Sequence, residues 1–358
     1  MTEKLRNINA LTLKTRLKVV RKGLTARKTD CLIVTKPANV TYITGFTGDD
    51  SWAIVLPKKV ALITDSRYTE QAAEQCWLCS IIERRDSMVK TVARLLQNRR
   101  AGQKAAIEMS TSMADFKAMS ELLPGRLKPV AHIIESARRT KDDVEVAAIR
   151  AAAEIATRAF ERTRRLIRPG LSENELAGII DFQIRKLGGR NCFETIAAFG
   201  ANAARPHHQP TKRKLSKKDT VLIDFGLRYN GYCCDITRCF AVGSPTPLYR
   251  RIYAAVEQAR GAALKMVRAG AEISKIDAAA KEVIKKSGLP VYGHGTGHGL
   301  GLEVHELPTV SNKTKGKLQA GDVITVEPAV YVPGRLGVRI EDDVLVTDDG
   351  YLLLTGKQ

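Results

Sequence analysis

Two aspartates, two glutamates and a histidine set among glycines carry the chemistry legible in this chain. The stretch Val221-Leu-Ile-Asp224-Phe-Gly226-Leu-Arg-Tyr-Asn230-Gly231-Tyr-Cys-Cys-Asp235-Ile-Thr237 sets two apolar strands around Asn-Gly. That dipeptide is the strongest short signal for a type I′ hairpin turn. With Asn230 and Gly231 as the loop, residue 229 faces 232, 226 faces 235 and 224 faces 237. Strand alternation then puts Asp224 and Asp235 on one face as diagonal neighbours, about 7–8 Å apart at the backbone. Gly226 between them is expected to leave the space empty. Two carboxylates on an apolar face need a counter-charge. Arginine pairing is one answer; two on one face beside a glycine favour a metal ion.

A second segment strengthens that expectation. Tyr292-Gly-His294-Gly-Thr-Gly-His298-Gly-Leu-Gly-Leu-Glu-Val-His305-Glu306 holds three of the six histidines. Its alternating glycines exclude a stable helix, and with it a helical zinc-protease motif, and are expected to let backbone approach a ligand. His207 and His208 follow Arg205-Pro206, which leaves only His132 outside the clusters. Two further strands, Val323-Ile-Thr-Val-Glu327-Pro328 and Val338-Arg339-Ile340-Glu341-Asp342, each bring a glutamate near the strand end. Pro328 should stop the ladder just past Glu327, and Arg339 shares a face with Glu341. Four carboxylates and one imidazole suit two divalent ions such as manganese, cobalt or zinc. A close pair of such ions lowers the pKa of a shared water, which is hydrolase chemistry.

The elements that position these groups read as a duplication. Thr140 with Asp143 resembles a capping box opening a helix, along which Val144, Ala148, Ile155 and Ala159 repeat up to Pro169-Gly170. Ser172 with Glu175 opens a second helix, ended by Gly188-Gly189. A helix from Leu248 to Val267 and another from Ser274 to Gly288 repeat the pattern one hundred residues later. His207, Asp224 and Asp235 then match His305, Glu327 and Glu341 at offsets of 98, 103 and 106. Two such halves facing each other would gather all six side chains around one cleft.

Before this part, residues 1–135 read as a smaller alternating α/β domain. A basic helix over 10–24 ends at Gly23; strands follow at 31–34, 52–56, 60–64 and 105–108, with helices at 68–76 and 87–97. Nothing in it gathers His, Asp and Glu in a catalytic pattern.

The 358 residues suit two domains, and 44% apolar with 27% charged residues excludes wholesale disorder. No apolar run is long enough to span a bilayer, and the start Met1-Thr2-Glu3-Lys4-Leu5 lacks an apolar leader, so a cytoplasmic address is expected. Seven cysteines at no framework spacing agree with a reducing compartment; Cys76-Trp-Leu-Cys79 reads as buried thiols more readily than as a redox or zinc motif. The net charge of +20 is spread over the chain. Its densest patch, Lys212-Arg213-Lys214 with Lys217-Lys218, lacks interleaved aromatics and reads as a solvated loop, not a nucleic-acid surface.

Asp224, Asp235, His298, Glu327 and Glu341, spaced by 11, 63, 29 and 14 residues, resemble the ligand order of the pita-bread metallopeptidases. The Gly-His-Gly-Thr-Gly-His-Gly-Leu-Gly-Leu-Glu-Val-His-Glu run and Asn202-Ala-Ala-Arg-Pro-His207 are similar to the proline-specific branch, the Xaa-Pro aminopeptidases and dipeptidases. So are Tyr42-Ile-Thr-Gly-Phe-Thr-Gly and Thr64-Asp-Ser-Arg-Tyr. The resemblance implies a creatinase-like N-terminal α/β domain (1–135) and a duplicated pita-bread α+β catalytic domain (136–358). It implies two divalent ions, manganese first, on Asp224, Asp235, His298, Glu327 and Glu341, with Asp235 and Glu341 bridging. Glu327 would also serve as general acid and base. His207 and His305 would hold the substrate carbonyl and developing oxyanion, with His294 and Arg339 also lining the substrate. Arg339 would further steady Glu341 or Asp235. The branch implies a homodimer whose N-terminal domain narrows access, acting on peptides with proline at the second position. Prolidases often carry arginine directly after the proline of Val-His-Glu-x-Pro, where it can meet a dipeptide's carboxylate. Here that residue is Thr309, which tilts the expectation toward an aminopeptidase. Relatives that hydrolyse small C–N compounds such as creatine or ectoine, and non-catalytic binding proteins of this fold, are the alternatives.

Overall fold

Every residue of Cys31–Val34 is buried, so this apolar run has to lie at the centre of a sheet. The computed structural model describes residues 3–97 and 104–355, with side chains from Ala10 onward. Met1 and Thr2, part of the stretch read above for a leader, lie outside the described residues. The chain divides into two units between Arg138 and Arg139.

The first unit runs α1 (Glu3–Ala26), β1 (Cys31–Val34), α2 (Pro37–Thr44), β2 (Trp52–Val55), β3 (Val60–Thr64), α3 (Thr69–Gln75) and β4 (Cys79–Glu83). Then come α4 (Met88–Gln97), β5 (Ala105–Glu108), α5 (Met113–Leu122), β6 (Leu127–Val130) and α6 (Ile133–Arg139). Its six-stranded sheet has the order β4-β3-β2-β1-β5-β6, antiparallel at β1–β2 and β2–β3 and parallel elsewhere. Helix α4 buries Val89, Val92, Ala93 and Leu96, one face of a helix, against Ile33, Ile54 and Ile107. Each such large aliphatic side chain contributes about 1.5–3 kcal/mol by leaving water. Helix α1 runs past Gly23, where the sequence suggested a stop, to Ala26. Strands β4 and β6, not foreseen, are edge strands; Pro129 in β6 and the half-exposed pattern of β4 hide the usual alternation.

The second unit opens with α7 (Asp143–Arg164) and α8 (Glu173–Lys186), then β7 (Arg190–Asn191), β8 (Ile196–Phe199), a 3-10 turn (Gly200–Ala204), β9 (Thr220–Tyr229) and β10 (Tyr232–Ala241). It repeats with α9 (Pro247–Met266) and α10 (Ile273–Lys286), then β11 (Gly297–Gly299), β12 (Glu306–Val310), β13 (Val323–Val326), β14 (Ala329–Val332), β15 (Leu336–Arg339), β16 (Asp342–Val346) and β17 (Tyr351–Leu353). The cap of α7 is Asp142, not Thr140: its side chain accepts from the Val144 and Glu145 amides, while Glu145 reaches back to the Asp142 amide. Thr140 is instead bridged to Asp322. Of the expected stripe Ile155 and Ala159 are buried, together with Ile149, Ala152 and Ala156, while Val144 is exposed and Ala148 half-buried. The Ser172–Glu175 capping box forms as expected.

The duplication extends to single hydrogen bonds. Gly170 N donates to Leu215 O and Leu215 N to Leu171 O; Gly270 N donates to Leu318 O and Leu318 N to Ala271 O. Gly188 and Gly288, just past the caps of α8 and α10, and Gly170 and Gly270, in the loops that lead from α7 to α8 and from α9 to α10, all have positive φ. The first repeat gives the sheet β10-β9-β7 with β8 also on β9; the second gives β12-β11-β13-β16-β17 and the ribbon β14–β15. Ile252, Val256, Ile276, Ile284, Ile324 and Val344 pack in the core beneath the second repeat. No described helix is long and apolar enough to cross a membrane.

Candidate metal centre

The hairpin β9–β10 has the expected register: Tyr229 pairs with Tyr232, Gly226 with Asp235 and Asp224 with Thr237. Asn230 and Gly231 take φ of 49° and 86°, the two left-handed residues a type I′ turn requires. Asp224 and Asp235 are buried on one face. The space at Gly226 is not empty, however. A Cβ there would lie 2.4 Å from the Phe193 ring and 2.7 Å from Cys192 Sγ, so the glycine admits those two side chains.

The second repeat supplies the other groups. His298 lies in β11 with Nδ1 donating to Gly299 O at 3.1 Å, which leaves Nε2 as the bare ring nitrogen. That Nε2 is 3.8 Å from Asp235 Oδ2 and 3.8 Å from Glu327 Oε1. Burial, with His305 beside it, pushes the imidazole down to about 4, so it is neutral. The glycines around it serve packing rather than ligand approach. A Cβ on Gly297 would lie 1.9 Å from Thr325 O, and one on Gly299 2.2 Å from Leu307 O. Glu327 follows the end of β13, its amide held by Thr296 O at 2.8 Å. The β13–β16 ladder ends at Val326, just before Glu327-Pro328, and pairing resumes in the separate β14–β15 ribbon. Glu341 sits between β15 and β16, where Thr237 Oγ1 donates to its Oε2 at 2.6 Å.

Arg339 is buried and hydrogen-bonds Asp224 rather than Glu341 or Asp235. Its Nε donates to Thr237 Oγ1 at 3.2 Å and its Nη1 to the Tyr331 hydroxyl at 2.7 Å. Both terminal nitrogens lie 3.4 Å from Pro206 O, beside His207. Arg339, expected to line the substrate, thus positions Asp224 and the His207 loop from behind. The candidate substrate histidines lie around the carboxylates. His305 packs edge-on against His298 with ring centroids 4.3 Å apart, and His294 Nδ1 is 3.9 Å from Glu327 Oε2. His207 is exposed and close enough to His294 to help lower its pKa, which burial chiefly pushes down to about 4. His208 does not join them: it is buried, with Nε2 2.9 Å from Glu173 Oε2. Glu173 also accepts from Phe199 N and Thr211 N, so this pair braces the loop behind the site.

Three participants escaped the sequence reading. Thr237 was visible as the partner of Asp224, yet its link to Glu341 was not. Tyr331, whose hydroxyl is 3.2 Å from His294 Nε2, has no local signal. Asp343 accepts from the Asp235 amide at 3.0 Å.

Electrostatics show what this arrangement lacks. Burial, then the neighbouring Glu341 and Asp224, raises Asp235 well above the carboxylate range. Glu327 is raised by burial and Glu341, and Glu341 is pushed up to about 8 by burial and Asp224. Asp235 Oδ1 is buried without a hydrogen-bond partner among the described residues. Asp235, His298 and Glu341 each offer a ligand atom within 4.8 Å of the others. Mutually repelling carboxylates, an orphaned oxygen and a bare imidazole nitrogen fit divalent cations.

Comparison with known proteins gives a consistent picture. Residues 147–348 match the model of metallopeptidase family M24, and residues 16–140 that of the creatinase/prolidase N-terminal domain. The uncharacterized peptidase YqhT of Bacillus subtilis is 36% identical over 91% of this chain and 93% of its own length. An Xaa-Pro dipeptidase from Bacillus anthracis is similar in structure, with a TM-score of 0.93 at 33% identity over 97% of this chain and 98% of that one. An X-Pro aminopeptidase from Thermotoga maritima has a TM-score of 0.85 at 33% identity over 92% and 96%.

Proposed function

The chain belongs to metallopeptidase family M24 and is a peptidase of pita-bread fold with a creatinase-type N-terminal domain, and from that premise we propose that it cleaves the Xaa-Pro bond at the N-terminus of peptides, as an aminopeptidase in preference to a dipeptidase. The observation that carries this reading is the convergence of Asp224, Asp235, His298, Glu327 and Glu341 with too little positive charge among them. We assign these five to two divalent ions, manganese first and cobalt or zinc next. When bound, such ions polarise a carbonyl and lower the pKa of water.

The chain's own groups account for the rest. Glu327, at the open side of the carboxylate group with His294 beside it, takes a proton from the attacking water and returns it to the leaving proline nitrogen. His207 and His305 hold the scissile carbonyl and the developing oxyanion, a contribution of about 2.7–4 kcal/mol per donor in related chemistry. Thr309 supports the aminopeptidase preference: it pairs with His298 across β11–β12 and is exposed and uncharged, offering a dipeptide's carboxylate no cation. The cytoplasmic address rests on seven cysteines at no disulfide-framework spacing, and the homodimer on the family resemblance.

The direct test is metal content and hydrolysis of an Xaa-Pro-Pro peptide in Asp235→Ala and Glu341→Ala. Both should lose bound manganese and activity together while keeping the wild-type circular dichroism spectrum. Full activity in either would refute the assignment.

A further inference from the structure

We infer that Lys141 is a positioning residue: through Glu306 it fixes the turn that holds His305 beside His298. Lys141 is a buried cation, its side chain 1% exposed, with Nζ 3.3 Å from Oε2 of Glu306, whose side chain is 6% exposed. The two residues stand 165 positions apart in sequence. The lysine is anchored at its backbone, where its amide donates to Gly321 O at 2.9 Å. Two residues earlier, Arg139 grips the buried Asp322 through Nε and Nη2 at 2.9 and 2.7 Å. Residues 139–141 are thus clamped to the loop before β13, and Nζ reaches Glu306 from a fixed base.

Glu306 turns its other oxygen on its own loop. Oε1 accepts from the Glu303 amide at 3.0 Å, so the carboxylate folds back over the turn that starts at Gly301. A Cβ on Gly301 would lie 2.9 Å from both carboxylate oxygens, so the glycine is what lets the carboxylate lie there. Gly301 N donates to Glu303 O at 3.0 Å, and Cys233 N donates to Gly301 O at 2.7 Å, which ties the turn to β10. His305 directly precedes Glu306 and is exposed, its ring edge-on to His298. An exposed ring takes its place from the backbone that carries it. A buried ion pair is weak evidence for stability, since an apolar pair of similar volume often packs as well; here it supplies one fixed geometry. The first repeat has a counterpart, for the buried Arg339 reaches Pro206 O, next to His207. Each of these histidines therefore adjoins a residue held by a buried cation distant in sequence. That His305 meets the substrate rests on the function proposed above; that Lys141 orders its turn does not.

The test compares Lys141→Met with the wild type, both as the full chain with manganese added. Amides of residues 301–306 should exchange with deuterium about tenfold faster, while those of β9 and β16 keep their protection. Hydrolysis of an Xaa-Pro-Pro peptide should lose about 10²-fold in kcat with KM little changed. Combined with His305→Ala, Lys141→Met should bring no further loss, because it acts through that ring. Glu306→Gln keeps the shape and removes the charge; it should give the same results, and it decides the matter should Lys141→Met fail to fold. Unchanged exchange at 301–306 would overturn the inference. So would losses that add in the double variant, or faster exchange spread evenly over β9 and β16. Should the wild type hydrolyse no test peptide under any condition, the proposed function falls and the exchange measurement alone decides this inference.

Discussion

The hydroxyl of Thr237 donates to Oε2 of Glu341 at 2.6 Å, and the Glu341 amide donates back to the Thr237 carbonyl at 3.2 Å. This exchange joins β10 of the first repeat to the strand junction of the second, so two candidate ligands from different repeats share one support. The same hydroxyl accepts from Arg339 Nε, whose guanidinium holds Asp224. Thr237→Val removes the donor while keeping the shape. Manganese affinity should fall about 10–100-fold, as for other groups that orient metal ligands. Isothermal titration checks this; unchanged affinity would mean that Glu341 is held by its strand alone.

His207 and His208 are neighbours with opposite expected behaviour. His207→Ala removes an exposed side chain and should lower kcat about 10²-fold with no change in Tm. His208→Ala breaks the buried bond to Glu173 and should cost about 1–3 kcal/mol, seen as a lower Tm, with kcat near that of the wild type. Thermal unfolding and steady-state kinetics on the two variants separate the roles.

The raised carboxylates give the metal-free protein a pH dependence of defined sign. Glu341 stands at about 8 in the folded state against an ordinary value of 4.5. Between those values the folded chain holds a proton the unfolded chain has lost. Its contribution to stability is fully present below 4.5 and disappears as pH rises through 8. Asp235 and Glu327, raised in the same direction, add to the trend. Chelated protein should therefore lose Tm from acid toward alkaline pH across that window, and added manganese should restore it most at the alkaline end. A Tm that rises through the window would contradict the electrostatic account.

Gly226→Ala should destabilise by about 1–3 kcal/mol, because the added methyl overlaps the Phe193 ring and the Cys192 sulfur. Gly178→Ala in α8, where nothing lies within 4 Å, should be stabilising by about 0.5–1 kcal/mol. Urea denaturation of the pair tests whether packing, rather than room for an ion, explains Gly226.

Much of this was legible from local rules. The hairpin register followed from Asn230-Gly231 and a period of two, and the carboxylates stood out because apolar strands rarely carry them. The repeat was visible in paired capping and terminating residues around Gly170 and Gly270. What escaped depended on contacts distant in sequence. Nothing near Arg339 says that its partner is Asp224, 115 residues away, or that Gly297 and Gly299 face the carbonyls of Thr325 and Leu307. His208 looked like His207 because adjacency in sequence says nothing about which way each ring turns.

The central claim is tested most directly by hydrolysis of Gly-Pro, an Xaa-Pro-Pro peptide and a Met-Ala peptide, each after chelation and again after manganese or cobalt is added. The account predicts that chelation silences the enzyme and that metal restores cleavage of the longer proline peptide first, with Gly-Pro slower and Met-Ala untouched. Silence on both proline peptides with metal demonstrably bound would contradict it and point to a hydrolase of small C–N compounds on the same fold.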